Sequence, residues 1–200
     1  MSVKDRMEGM YAAGNVPWDD PLPPPEVIEV VQELRTGRAL DLGCGFGRAA
    51  IYLAGSGWQV DAVDFVEMAI EVARKRAADA GVSVNFIQGD VMDLPSLAGP
   101  YDLVLDVGCA HSLEPEQFEI YVNEVARLVR GGGTYLLFVR LRESVVGGDG
   151  PRGLEDAMVL QSFSGDFSLS KVERNLDLSS PNNSWPSAWY WFTRRDVTSE

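Results

Sequence analysis

The sequence predicts an α/β protein whose mostly parallel sheet carries helices on both faces. Three observations predict it. Short strand-like apolar runs alternate with runs of helical period from residue 26 onward. A glycine-rich turn, Gly43 to Gly47, leads from the first strand into a helix. Tyr135 to Val139 is a nearly unbroken apolar run, as expected of a strand covered on both faces.

The elements follow in order. Val27, Val30, Val31 and Leu34 give Glu26 to Leu34 a helical stripe, and Gly37 lies just past its end. Ala39 to Leu42 is a strand entering the glycine turn, Ala49 to Ala54 a helix, and Gln59 to Val63 a second strand. Met68 to Ala80 is a helix closed by Gly81, followed by strands over Val84 to Ile87 and Leu103 to Val107. Pro115 to Val129 is the clearest helix. Proline opens it, Gly131 follows its end, and Phe118, Tyr121, Val122, Val125, Leu128 and Val129 form its apolar face. After Tyr135 to Val139 come a glycine-rich loop over Val146 to Gly153, a helix near Leu154 to Gln161, and strands near Phe167 to Glu173 and Ala188 to Thr193. Ligands of such sheets sit beyond the carboxyl ends of the strands.

Composition narrows the partners. A net charge of -13 over 200 residues repels polyanions, and the densest basic run, Arg74-Lys75-Arg76, falls on a helix as a solvated face. The balance favours a small-molecule partner over nucleic acid. Two cysteines, Cys44 and Cys109, make no disulfide framework. The N-terminus leads into no apolar signal core, and no apolar run approaches the ~18 residues a membrane span needs, so the expected setting is cytoplasmic, away from membranes.

The turn reads Asp41-Leu42-Gly43-Cys44-Gly45-Phe46-Gly47. Glycines suit a bend that takes positive φ and lets a ligand approach the backbone. A dinucleotide fingerprint would place its third glycine at position 48, where this chain has Arg48, so the spacing argues against a nicotinamide-dependent oxidoreductase, the competing enzyme class. Asp64 ends the second strand, 21 residues after Gly43, where a carboxylate can accept ribose hydroxyls. Asp90 follows the third strand, where it can accept from an adenine amino group, with Val91 and Met92 as apolar contacts to the ring. A helix-cap or turn role is the alternative for either carboxylate alone.

In this arrangement the sequence resembles the class I S-adenosylmethionine-dependent methyltransferases. The resemblance rests on the turn from Ala39 to Gly47, on Val60-Asp61-Ala62-Val63-Asp64-Phe65, on Gly89-Asp90-Val91, on Tyr101-Asp102-Leu103-Val104-Leu105-Asp106 and on Leu128-Val129-Arg130-Gly131-Gly132-Gly133. Asn15-Val16-Pro17-Trp18-Asp19 and Ser187-Ala188-Trp189-Tyr190-Trp191-Phe192 look similar to its thiopurine and tellurite-resistance branch. The resemblance implies seven strands, the last antiparallel and inserted beside the fifth, in a single domain over residues 1–200 with 1–25 as an N-terminal lid. It implies S-adenosylmethionine as cofactor. Gly43 and Gly45 would line its methionine portion, Asp41 its ammonium, Asp64 the ribose, and Asp90 with Val91 the adenine; Trp18, Phe65 and the Asp106 region complete the cofactor contacts. Family members often carry Ser or Thr at position 66 as a helix cap, where this chain has Val66.

The sulfonium already activates the methyl group, so catalysis needs chiefly alignment of a nucleophile and exclusion of water. A thiol, chalcogen or halide needs little help from a base, whereas a hydroxyl usually needs one. Topology draws His111, Arg140, Arg152, Trp185 and Tyr11 toward the acceptor side. His111, the single histidine, is the candidate catalytic base, with a surface or capping role as its alternative. Trp189 and Trp191 read as strand packing. Cys109 with His111 gives two metal-ligand types without a third, so no metal is expected. Cys44 reads as a small buried residue behind the turn. A non-catalytic cofactor-binding module is the remaining alternative. The segment Asp106-Val107-Gly108-Cys109 lacks the Pro-Pro-aromatic motif of amino-directed DNA methyltransferases.

Overall fold

The computed structural model describes residues 3–14, 16–142, 153–175 and 186–196. Its strands form one seven-stranded sheet in the order β3-β2-β1-β4-β5-β7-β6, where β1 is Arg38–Leu42, β2 Gln59–Asp64, β3 Asn85–Gln88, β4 Tyr101–Val107, β5 Val129–Arg140, β6 Phe167–Asn175 and β7 Ser187–Arg194. Six strands run parallel. β7 is antiparallel to both neighbours, β5 and β6. This is the predicted fold class, including the last strand inserted beside the fifth. Among the described residues no helix is long and apolar enough to cross a membrane. The chain divides into two compact units, Met1–Leu97 and Ala98–Glu200.

The first unit opens with a helix that the sequence pattern did not predict, α1 (Val3–Ala12), in which Tyr11 is the buried residue. The helix α2 (Pro25–Glu33) starts on a proline and buries Val27, Val30 and Val31. Helices α3 (Arg48–Gly55) and α4 (Glu67–Asp79) cover β1 to β3 with small and aliphatic residues: Ala49, Ala50 and Leu53 from one, Ala69, Ile70, Ala73 and Ala77 from the other. Small side chains let these helices lie close to the strands. The parallel register pairs Leu42 with Val63 and Asp64 with Gln88. The turn after β1 therefore arrives beside the end of β2, and the Cys44 N–H donates to the Val63 carbonyl at 2.9 Å.

The second unit packs α5 (Pro115–Leu128) against β4 and β5, and α6 (Asp156–Phe163) against β6. Its core is aromatic. Tyr135, Phe163, Phe167 and Phe192 lie in mutual ring contact, and Phe118 meets Phe163 edge-on at 6.0 Å. β5 begins at Val129, six residues before the predicted Tyr135: Val129 already pairs with Tyr101, and the glycine run, with Gly132 at φ 68°, makes an irregularity before Thr134 pairs with Leu103. Trp189 and Trp191 are packing residues, as expected: Trp189 lies against Phe138 with ring centroids 4.9 Å apart, and the Lys171 ammonium stands 4.3 Å over Trp191.

Candidate active site

The glycine turn is a backbone bend held by one carboxylate. Gly43, Gly45 and Gly47 have φ of 69°, 54° and 82°, the left-handed region that side chains disfavour. A Cβ on Gly47 would lie 3.0 Å from the Ala73 Cβ and 3.1 Å from the Phe86 ring, so that glycine lets the turn seat on α4 and β3. At Gly45 a Cβ would meet the Tyr11 hydroxyl at 3.1 Å. Asp64, 3% exposed, accepts the Gly45 N–H on Oδ2 and the Val66 N–H on Oδ1, both at 2.9 Å. Burial raises its pKa above the ordinary carboxylate value, and the backbone donors oppose that rise.

This geometry explains the departure at position 66. The residue caps α4 without a side-chain bond, and its side chain is buried instead in a cluster with Tyr11 and Ala69. Met7, Val16, Trp18, Phe46 and Phe65 pack on that cluster. Tyr11 meets Trp18 edge-on at 6.2 Å and Phe46 at 4.9 Å. The N-terminal segment is thus laid against the glycine turn, and two ion pairs hold it. Arg76 grips Asp19 with bonds of 2.6 and 2.8 Å while lying 4.9 Å over the Phe46 ring, and Arg48 reaches Asp20 at 3.3 Å. The basic run on α4 is therefore more than a solvated face, since Arg74 also donates to the Phe86 carbonyl at 2.9 Å. Arg48, at the place of the missing third glycine, is spent on this fastening.

The remaining residues of the first unit stand at strand ends. Asp41 is buried at the end of β1. Cys44 is buried behind the turn, as read from the sequence. Asp90 is exposed and accepts the Met92 N–H at 3.0 Å in the turn after β3, with Val91 buried beside it.

In the second unit Asp106, at the end of β4, is fully buried. Its Oδ1 accepts the amides of Gly108 at 3.0 Å and Cys109 at 2.7 Å, and its Oδ2 accepts the Ala110 amide at 3.0 Å and the Tyr121 hydroxyl at 2.7 Å. The carboxylate is thereby turned into the protein. Burial pushes its pKa up to about 6 against those four donors. His111 is half-buried in the 3₁₀ turn Ala110–Ser112, and its Nδ1 accepts the Arg140 N–H at 3.4 Å. In the neutral ring this bond leaves the proton on Nε2, so a base acting through Nδ1 must give up the bond to Arg140. Arg152 and Trp185 lie outside the described residues.

A glycine bend bonded to a strand-end carboxylate, in an open and mostly parallel sheet of this order, defines the Rossmann-like class of adenosine-cofactor proteins. Comparison with known proteins narrows the class. The methyltransferase domain family matches residues 39–133. A 2-heptyl-1-hydroxyquinolin-4(1H)-one methyltransferase of Mycobacteroides abscessus is 30% identical over 147 residues, covering 69% of this chain and 65% of the relative. An uncharacterized methyltransferase of Schizosaccharomyces pombe is 34% identical over 98 residues, 49% of this chain and 68% of the relative. The chain thus spans about two thirds of the length of these relatives. Among solved structures, a 1,6-didemethyltoxoflavin N1-methyltransferase of Burkholderia thailandensis, with S-adenosylhomocysteine bound, superposes with a TM-score of 0.77 at 21% identity, over 97% of this chain and 88% of that one. The chain belongs to the S-adenosylmethionine-dependent methyltransferase family.

Proposed function

We propose that this chain transfers the methyl group of S-adenosylmethionine to a small-molecule nucleophile. The observation that carries the reading is the Gly45 amide bound to Asp64 at 2.9 Å beneath a left-handed glycine turn. The residues present suit the cofactor. Gly43 and Gly45 expose backbone for the methionine portion. Asp64 takes the Gly45 and Val66 amides on separate oxygens, with the Phe65 amide also acting on it, which leaves acceptor capacity for ribose hydroxyls. Asp90 and Val91 stand one strand further on for the adenine, with Phe65 between them and the turn, and Asp41 serves the ammonium. The Tyr11 hydroxyl and the Trp18 ring nitrogen lie beside Gly45 and wall the turn on that side.

When bound, S-adenosylmethionine supplies an electrophilic methyl group, which passes to the acceptor while the electron pair of the breaking bond stays on sulfur. The chain's part is to align the acceptor and exclude water. Residues 3–25 act as a strap over the turn, held by Asp19 on Arg76. On the acceptor side we place His111 and Arg140. The names of the quinolone and toxoflavin enzymes support a heteroaromatic acceptor; the hydroxyl as nucleophile rests on the hydroxyquinolone enzyme alone, since the toxoflavin enzyme methylates a ring nitrogen. The family match runs from residue 39 to 133 and so includes parts of both units, which supports reading residues 1–200 as one methyltransferase domain.

Calorimetric titration with S-adenosylmethionine and with S-adenosylhomocysteine tests the first half; saturable heat is expected from both, and silence from both rejects the reading. A panel of hydroxylated heteroaromatics, thiols and halides, read by release of S-adenosylhomocysteine, tests the second. Turnover confined to thiols or halides would remove the hydroxyl assignment.

A further inference from the structure

We propose that Asp106, anchored by Tyr121 and Tyr135, is a positioning residue that sets the shape of the segment from Gly108 to His111 on the acceptor side. The inference rests on the methyl-transfer reading for what that side does, and on geometry for how it is held. Three successive amides, those of Gly108, Cys109 and Ala110, converge on one carboxylate. Tyr121 gives its only proton to Oδ2, so in the 2.7 Å contact between the two hydroxyls Tyr135 must be the donor. The chain of bonds therefore runs one way, from Tyr135 to Tyr121 to Asp106, and each bond polarises the next. All four groups on the carboxylate are donors. The four donors favour the anion against burial, and a proton on Oδ2 would require Tyr121 to turn and donate to Tyr135 instead.

The consequence reaches His111. Gly108 has φ of 97°, and a Cβ there would stand 3.2 Å from His111 Cε1, so the imidazole rests against the glycine that Asp106 holds. From His111 the contact continues to the Arg140 amide at the end of β5. The titratable groups facing the carboxylate are Tyr121 from α5 and Tyr135 from β5, and the Cys109 thiol of its own turn faces those two tyrosines. The carboxyl titrates at about 6, so its grip on the turn is pH-dependent in an accessible range.

The experiment follows the amide protons of Gly108, Cys109 and Ala110 by NMR from pH 5 to 8 in the full chain, together with the imidazole resonance of His111, the single histidine. In the wild type the three amides are expected to titrate together near pH 6. Tyr121→Phe removes a donor to the anion, so their common midpoint should rise by about one unit, and the His111 curve should change with it. Asp106→Asn should abolish the shared titration; Tyr121→Phe decides the matter if that variant fails to fold. Flat amides, an unmoved midpoint in Tyr121→Phe, or a His111 curve superimposable on the wild type would each overturn the proposal. S-adenosylhomocysteine calorimetry on the same samples keeps the readings separate, because absent heat rejects methyl transfer and leaves the amide result standing.

Discussion

Asp64 and Asp106 end strands β2 and β4, and both are buried carboxylates that accept backbone amides, yet the structure uses them differently. Asp64 takes the Gly45 amide on Oδ2 and the Val66 amide on Oδ1, and the Phe65 amide also acts on it. Asp106 takes two donors on each oxygen, a hydroxyl among them. A carboxylate has about four lone-pair sites. Asp106 is saturated, whereas Asp64, even with the Phe65 amide also acting on it, carries fewer donors than it can accept. The comparison teaches that a strand-end aspartate is not a binding residue by position alone; what decides is how many of its acceptor sites the fold has already filled.

The largest effect expected from this contrast is on stability against pH. Asp106 titrates at about 6 in the folded chain, against 3.8 as its ordinary value. The native state therefore binds more protons between those values, and stability falls as pH rises through them. The contribution is fully present below pH 3.8 and lost above about 6, and it is on the order of 3 kcal/mol for two units. Urea midpoints measured from pH 4 to 7 should decline in the wild type and much less in Asp106→Asn. A residual slope of the same sign should remain, because the pKa of Asp64 is also raised by burial. A wild-type profile that climbs over this range would break the comparison.

The next effect is on cofactor affinity. Asp64→Ala should weaken S-adenosylhomocysteine binding by ~1.5–3 kcal/mol, about 10- to 150-fold, through loss of charge-assisted bonds. Asp106→Asn should leave that affinity nearly untouched, since its carboxylate has no site left for a ligand. Equal losses in the two variants would show that saturation does not separate their roles. Gly45→Ala follows, at about 1–2 kcal/mol from the left-handed backbone. The added methyl also crowds the Tyr11 hydroxyl at 3.1 Å, so part of the loss should be recovered in a Tyr11→Phe background. Recovery of the whole loss would mean that crowding, not backbone strain, is the cost.

Much of this was legible in the sequence. Alternating periods specified the strand and helix order, and the glycine turn and the strand-end aspartates Asp64 and Asp90 were legible as such, because these are local patterns of residue type and spacing. What escaped depends on partners far apart in the chain. Tyr121 read as part of an apolar helix face, and only its meeting with Asp106, 15 residues earlier, and Tyr135, 14 residues later, shows its hydroxyl at work. Arg76 read as a solvated charge because Asp19 lies 57 residues away. The helix α1 was not legible because its one buried residue, Tyr11, makes no repeating stripe. Val66 read as a missing cap, and the structure shows the position given to packing.

The smallest effect tests whether the first unit's advantage at Asp64 needs the strap. Arg76→Ala removes a half-exposed pair with Asp19 and a cation from the face of Phe46. Such a pair contributes about 0.2–1 kcal/mol, so the melting temperature should move only slightly. Binding should move differently. If residues 3–25 hold the cofactor down, loosening their anchor speeds dissociation of S-adenosylhomocysteine several-fold, since a covered ligand leaves only when the cover opens. Asp19→Ala should give the same change, and the double variant no more than either alone, because both remove one contact. Stopped-flow displacement measures the rates directly. Dissociation rates unchanged in both variants would reduce the N-terminal segment to packing, and would leave Asp64 and the glycine turn to hold the cofactor without it.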